Sequence, residues 1–232
     1  MAALAAHPEQ MADLIDMLHR RAPDAEPLLD LLGRVAQAAV CVLAGIDGAA
    51  VASLLDPSPF TVAHTDARVL AVDDQQYATN GGLCLQAARR GVAVAMTVDQ
   101  VRRRWPLLAA TAHRAGFKSF LAVPVRAGNQ CVGVLNLYGA GDAVLTPDPD
   151  LLTVLTEYAG QGFTDFTDHQ RFAGAVLRQA VSDHKVIGQA ISLLVAVHGF
   201  SYPYAEAVLH DQAHDWERTP AEQAARIIAA AN

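Results

Sequence analysis

The sequence predicts an α+β domain that is followed by a long helix and by a small module of three helices. Strand-like runs and helical segments are interleaved between residues 49 and 138, separated by short turns, which indicates an antiparallel sheet flanked by helices. From Asp150 to about His184 the sequence contains no proline and remains helical in pattern. The last fifty residues divide into three short helices, each with an apolar face.

The N-terminal region is predicted to be helical. Apolar residues recur at helical spacing from residue 9 to residue 43, with an interruption at Pro23 and Pro27. We assign residues 1–19 to a separate helical segment. The remaining helix is expected to form a layer against the sheet.

The sheet is predicted to begin with a hairpin and to continue with three further strands. The hairpin joins residues 49–55 and 60–64 around the turn Asp56-Pro-Ser-Pro59. The later strands are predicted at residues 92–98, 117–125 and 130–138. Between them, residues 73–90 are predicted to form two short helices separated by Asn80-Gly81-Gly82, and residues 107–115 a third helix that ends at Gly116.

One long helix is predicted over residues 146–183, with Thr146 as its cap and Pro147 in its first turn. Small and apolar residues step along it by three and four, which is typical of a coiled-coil seam between two chains. The alternative is a helix that packs across its own sheet. The seam positions are Leu152, Leu155, Ala159, Phe166, Ala173 and Val176.

The C-terminal module is predicted to contain the helices 184–198, 202–214 and 219–230. Ser201 caps the second helix, and Thr219, Pro220 and Glu222 form a capping box for the third. Such a small bundle has little core of its own.

Composition excludes several classes of protein. Of 232 residues, 52% are hydrophobic and 18% charged, which excludes a disordered chain. The net charge of −7 gives no general attraction to nucleic acid or to an anionic membrane, so we expect no DNA or membrane binding and only local RNA contacts. The first residues carry no basic leader, which predicts a cytoplasmic protein. Three widely separated cysteines predict no disulfide framework.

Two stretches resemble known families. Gly81-Gly-Leu-Cys-Leu-Gln-Ala87, Arg104-Trp-Pro106, Leu121-Ala-Val-Pro-Val125 and Gly133-Val-Leu-Asn-Leu-Tyr138 are similar, in order, to GAF domains of actinobacterial regulators over roughly residues 25–160. Val186-Ile-Gly-Gln-Ala190, His198-Gly199, Ala205, Leu209 and Ala213 resemble the ANTAR domain, a three-helix RNA-binding module. Together these motifs resemble a GAF–ANTAR transcription antitermination regulator.

The resemblance implies a domain plan and partners. It implies a GAF sensor at residues 20–145, a dimerisation helix at 146–183 and an ANTAR-like module at 184–232. A homodimer would bind paired RNA hairpins and respond to a small-molecule signal in the GAF domain, with no cofactor. The residues that it implies for RNA binding are Lys185, Gln189, His210 and Arg218.

The module departs from its family at basic positions. Ile191-Ser192 and His210-Asp211 replace the usual Lys-Gly and the usual basic pair. Residues 183–232 contain six acidic and three basic side chains, a formal charge of −3. Few cations predict weak, salt-sensitive RNA binding. The alternative function is a dimeric ligand-sensing or protein-interaction module that has lost RNA binding.

A ligand cavity is predicted inside the GAF domain, enclosed by the sheet and the loop at Asn80-Gly81-Gly82. Its lining residues would be Tyr77, Cys84, Trp105, Phe117 and Phe120. The alternative is that these side chains simply fill the core.

We expect no catalysis, although Cys84 leaves a weaker alternative open, a thiol reductase of methionine sulfoxide. His210 and His214 lie one turn apart, but a solvated helix face explains them better than a metal site.

Overall fold

The computed structural model describes residues 22–231, so the predicted helical segment 1–19 lies outside the described residues. The helices are α1 (Ala25–Val42), α2 (Ala67–Ala78), α3 (Leu83–Arg90), α4 (Val98–Arg104), α5 (Pro106–Arg114), α6 (Pro149–His169), α7 (Ala173–His198), α8 (Tyr202–Asp215) and α9 (Pro220–Ala230). The strands are β1 (Gly48–Ser53), β2 (Phe60–His64), β3 (Val94–Thr97), β4 (Ser119–Ala127) and β5 (Gln130–Gly139).

The chain divides into two compact units, of which the first ends at Leu177 and the second begins at Arg178. The first unit contains an antiparallel five-stranded sheet with the strand order β2-β1-β5-β4-β3. The predicted α+β class, hairpin and strands are therefore confirmed. Each unit has its own hydrophobic core.

Helices cover both faces of the sheet because successive strand residues point to opposite sides. On one side α1 and α6 pack against each other and against the sheet. On the other side α2, α3 and α5 enclose a core with alternate strand residues. These strand residues are Ala50, Ala52, Val94, Phe120, Ala122, Val134 and Tyr138.

The loop between α2 and α3 has the backbone that the sequence predicted. Asn80 has φ 45° and Gly82 has φ 134°, which are conformations that favour asparagine and glycine. A side chain at Gly82 would also collide with Gln76. The loop therefore holds one defined shape, and it lies beside the core of the first unit.

The long helix predicted over residues 146–183 is divided into α6 and α7. The first of these begins at Pro149 and is capped by Asp148, which accepts from two backbone N–H groups, so the cap and proline lie two residues later than predicted. It ends at His169, where Gln170 is extended and its side chain donates to the Pro23 carbonyl at 3.3 Å. This tertiary contact compensates for the interruption of the helix.

All six predicted seam positions belong to the first unit, and three of them are buried. Leu155, Ala159 and Phe166 are at most 1% exposed, and α6 packs on α1 and on β4. A step of three and four residues describes any helix with one apolar face, so it fits packing on its own sheet as well as pairing between chains. Val176 remains 38% exposed on α7.

The second unit is a bundle formed by the C-terminal part of α7 with α8 and α9. Its buried core consists of Ala190, Ile191, Leu194, Ala205, Leu209 and Ala224. The capping box at Thr219 and Glu222 is present, with both reciprocal hydrogen bonds. The predicted module of three helices is confirmed.

Among the described helices, α7 has the length and the apolar composition of a membrane span, with 17% of its apolar window buried. Its side chains Ile191 and Leu194 belong to the core of the second unit, which accounts for part of that composition. The middle of the helix carries Asp183 and Lys185.

Candidate functional site

A buried carboxylate lies at the centre of the first unit. Asp73 is 0% exposed because α2 presents it to the sheet, on the same face as Val69, Val72 and Gln76. Its Oδ1 accepts hydrogen bonds from the Asn136 side chain at 3.0 Å, from Gln76 at 3.2 Å and from the Tyr138 hydroxyl. Its Oδ2 accepts from the Thr61 hydroxyl at 2.8 Å.

The partners of Asp73 are all neutral, so nothing in this cluster balances a negative charge. Burial raises the pKa of Asp73 from its ordinary value to about 6, although hydrogen bonds from Tyr138, Thr61 and Asn136 lower it in part. A carboxyl group with this pKa changes protonation in mildly acidic conditions. The cluster is thus sensitive to proton concentration near the physiological range.

Gln76 links the buried cluster to the loop that precedes α3. Its side-chain oxygen accepts from the Cys84 N–H at 3.0 Å, and its backbone carbonyl accepts from the Gly81 N–H at 3.0 Å. Its side-chain nitrogen donates to Asp73. Gln76 is therefore hydrogen-bonded both to the loop and to Asp73.

The five predicted ligand-binding residues meet in one cluster. Cys84, Phe117 and Phe120 are buried there, while Tyr77 and Trp105 are partly buried and pack against it. The Tyr77 hydroxyl lies 3.0 Å from that of Thr61, which already donates to Asp73, so Tyr77 is the donor in this pair. The structure brings the five together, and their role as a ligand site stays a prediction.

The thiols of the first unit differ in exposure. Cys41 is exposed, Cys131 is half-buried and Cys84 is fully buried. Burial, reinforced by the negative charge of Asp73, raises the pKa of the Cys84 thiol well above its ordinary value. Burial also raises the pKa of Cys131. Neither group has the low pKa that a nucleophilic thiol needs.

A surface pocket of about 240 Å³ opens at the loop between α2 and α3. Trp105, one of the predicted ligand residues, forms part of its wall together with Arg104. Sequence reasoning did not identify this pocket, because its walls come from α3 and from the end of α4, a helix that we had not predicted. The signal for α4 was the capping box of Thr97 and Gln100.

The predicted RNA-binding residues lie on the second unit. Lys185 and Gln189 are exposed one turn apart on α7, and His210 is exposed on α8. Arg218 is half-buried, donates to the side chain of Gln223 at 2.9 Å, and lies 5.5 Å from the ring of Trp216. Three of the four are thus accessible to a partner, and the fourth also supports the bundle.

Several exposed aromatic side chains lie on the surface of the second unit. Tyr202 is 54% exposed, Tyr204 56% and Trp216 66%. Phe200 makes an edge contact with Tyr204 at 4.9 Å between ring centroids and stacks on His198 at 5.1 Å. Aromatic faces of this kind can stack on unpaired bases.

Within the described part of the chain, no group of three or more His, Cys, Asp or Glu side chains is placed to hold a metal ion. His210 and His214 both lie on α8 and are exposed.

Two family models match the chain. The model described as the GAF domain matches residues 25–163, and the model described as the ANTAR domain matches residues 175–228. The first match alone spans more than half of the sequence. No curated protein matches this chain.

Solved structures with similar folds come from several bacteria and an archaeon. The free methionine-R-sulfoxide reductase of Neisseria meningitidis, in complex with its substrate, has 15% identity and a TM-score of 0.46, covering 70% of this chain and 93% of its own. The type II enzyme of Thermoplasma acidophilum has 14% identity and a TM-score of 0.43, covering 61% and 93%. The GAF domain of a Bacillus halodurans sensor histidine kinase has 12% identity and a TM-score of 0.43, covering 60% and 92%. Likenesses at this level carry no argument about activity.

Proposed function

The chain belongs to the GAF domain family and carries an ANTAR domain after its GAF domain, so it is a signal-responsive regulator, and we propose that it acts through transcription antitermination. In this proposal the ANTAR domain binds paired RNA hairpins and prevents a terminator from forming. The observation that carries it is a complete three-helix unit, with a buried core of its own, in the region that the ANTAR domain matches.

The proposed RNA contacts combine a few cations with exposed polar and aromatic groups. Lys185 and Gln189 supply an accessible stripe on α7, and His210 and Arg218 are the further candidates. With a formal charge of −3 over residues 183–232, phosphate contacts can supply only part of the affinity. Tyr202 and Tyr204 offer stacking faces that need no charge.

The GAF domain is proposed to bind the small-molecule signal. The candidate residues are Tyr77, Cys84, Trp105, Phe117 and Phe120, which pack in one cluster with Tyr138, a hydrogen-bond partner of Asp73. Binding would favour one arrangement of two chains in a cytoplasmic homodimer and so decide whether both ANTAR domains reach one RNA. This coupling requires that the signal bind the two arrangements with different affinity.

We propose a regulatory and not an enzymatic role. The support is the state of the cysteines, because the Cys84 thiol is fully buried and its pKa is raised. A thiol reductase needs an accessible thiolate.

A second candidate function is binding of a protein partner by the ANTAR domain in place of RNA. The specific observation behind it is the acidic balance of the domain together with the exposed Trp216. Aromatic residues on an exposed surface are also typical of protein interfaces.

RNA binding by the full-length protein tests the proposal. The probe is an RNA with two tandem hairpins, and a scrambled RNA of equal length is the comparison, titrated over a range of salt. The variant Lys185→Ala removes an exposed cation, and Arg103→Ala removes an exposed cation from the GAF domain as a matched control. The slope of the logarithm of the binding constant against the logarithm of the salt concentration reports the number of phosphate contacts. We expect Lys185→Ala to reduce this slope by about one unit and Arg103→Ala to leave it unchanged.

Equal affinity for the tandem and the scrambled RNA at every salt concentration would contradict antitermination. It would favour the protein-binding candidate, which co-purification of a stoichiometric partner would then support.

A further inference from the structure

The surface pocket beside the α2–α3 loop is lined by three arginines. Arg89 and Arg90 come from the last turn of α3, and Arg104 comes from the end of α4. No acidic residue lines the pocket. Positive charge is thus concentrated in one concave site of a protein whose net charge is −7.

The positive charges of this pocket have no anionic partner within the described part of the chain. The salt bridges of the described residues involve other arginines, namely Arg34, Arg68 and Arg102. Arg89 donates to the side-chain oxygen of Asn80 at 2.8 Å, and Arg104 donates to that of Gln86 at 3.3 Å. Amide oxygens orient a guanidinium group without neutralising it.

Contacts within the chain order part of the pocket wall. The Arg104 guanidinium lies over the Trp105 ring at 4.7 Å from its centroid, and Gln86, its hydrogen-bond partner, is only 8% exposed. A Cβ at Gly81 would lie 2.7 Å from the indole nitrogen of Trp105, so the loop backbone rests directly against this ring. A guanidinium group that such contacts orient loses less freedom when it binds an oxyanion.

We infer that this pocket binds a small molecule that carries a phosphoryl or carboxylate group. Guanidinium groups match the geometry of both oxyanions and form charge-assisted hydrogen bonds with them. A volume of about 240 Å³ lies below the usual range for drug-sized ligands, so the pocket suits a compact anion and not a dinucleotide.

The inference deepens the proposed function and rests on it in one respect, because an anion bound here would be the signal or a part of it. The same loop is tied to Asp73 through Gln76, since the Gly81 N–H donates to the Gln76 carbonyl. An anion in the pocket would therefore contact the loop that borders the buried cluster.

Calorimetric titration and thermal unfolding of the full-length protein with inorganic phosphate and with succinate test the inference. Sodium chloride keeps the ionic strength constant, and the assay contains no RNA, so its failure is distinct from failure of the proposed function. The variants are Arg90→Gln and Arg104→Gln. Arg103→Gln is the matched control, since Arg103 is exposed on the same helix as Arg104 and does not line the pocket.

We expect phosphate, succinate or both to bind and to raise the unfolding temperature. Binding of phosphate would identify a phosphoryl group as the ligand group, and binding of succinate would identify a carboxylate. Each pocket variant should weaken binding about tenfold or more, because each removes a charge-assisted contact, while Arg103→Gln should bind as the wild type does. Binding of neither anion would overturn the inference. So would an equal loss in Arg103→Gln, which would indicate a general charge effect.

Discussion

At the scale of single residues, Asp73 is the most unusual group in the GAF domain. It is fully buried, its hydrogen-bond partners are neutral, and burial raises its pKa to about 6. The charged form is disfavoured in the folded protein, whereas the unfolded chain holds the same group near its ordinary value of 3.8. Stability must therefore depend on pH in a direction opposite to that of a salt-bridged aspartate.

The first prediction follows from this shift. Because the folded pKa is raised, the stabilising effect of the proton is fully present below pH 3.8 and is lost as the pH rises through about 6. The difference of about 2 pKa units corresponds to about 3 kcal/mol in the free energy of unfolding. Chemical denaturation at a series of pH values should show this loss for the wild type and not for Asp73→Asn.

Asp73→Asn keeps the shape of the side chain and removes its titration, while its amide nitrogen replaces one acceptor oxygen with a donor. The change of stability with pH, and not its absolute value, therefore isolates the titration. If the two proteins lost the same stability between pH 4 and pH 6.5, the raised pKa would be refuted.

The second prediction concerns the cysteines. An exposed thiol reacts with an alkylating reagent faster than a buried one whose pKa is raised. We expect iodoacetamide to modify Cys41 in the native protein long before Cys84, and to modify both at similar rates after denaturation. Peptide mass spectrometry measures the two rates. Rapid native modification of Cys84 would favour the thiol-reductase alternative over a regulatory role.

Sequence reasoning located part of this chemistry. The motif Gly81-Gly-Leu-Cys84 identified the loop, and the aromatic residues near it do gather in one cluster. Asp73 was overlooked, although its spacing from Val69 and Gln76 places it on the buried face of α2. The arginine pocket was not predictable, because Arg89 and Arg104 are separated in sequence and meet only through tertiary packing.

At the scale of elements, α6 shows how a glycine sets the distance between a helix and a sheet. A Cβ at Gly160 would collide with the backbone carbonyl of Arg126 on β4. The ring of Phe163, one turn further, is fully buried and lies over Gly133 of β5. The helix thus approaches the hairpin of β4 and β5 more closely than alanine would allow.

The third prediction compares two glycines in helices. Gly160→Ala should lower the free energy of unfolding by about 1–3 kcal/mol, because the carbonyl of Arg126 belongs to the backbone and cannot turn aside. Gly33→Ala in α1 has open space around the new methyl group, so it should raise stability by about 0.5–1 kcal/mol. Denaturant titration of both variants provides the measurement. Two effects of the same sign would contradict the packing described for α6.

The sequence could predict the strands and the capped helices but not the end of α6. Strand alternation and the capping box at Thr219 are local signals, and both correspond to the structure. The break after His169 has no proline or glycine between the two helices, and Gln170 there contacts Pro23, far away in sequence. The periodicity of apolar residues could not reveal this break. It also could not decide whether Leu155 and Phe166 pack against the sheet of the same chain or against a second chain.

At the scale of the whole molecule, the chain joins a sensor domain to an output domain. The two domains differ in the charged and aromatic groups that are available to a partner. The GAF domain holds a buried titratable cluster and an arginine-lined pocket. The ANTAR domain holds few cations and several exposed aromatic rings. Such a division suits a protein that binds its signal by charge and its RNA in part by stacking.

Transcription through a terminator tests the central claim most directly. A template with tandem hairpins upstream of a terminator is transcribed in a single round by purified polymerase, with the wild type, Lys185→Ala or the control Arg103→Ala. We predict that the wild type and the control raise the fraction of full-length RNA and that Lys185→Ala raises it less. Unchanged termination with folded wild-type protein, with and without phosphate or succinate, would contradict an antitermination function.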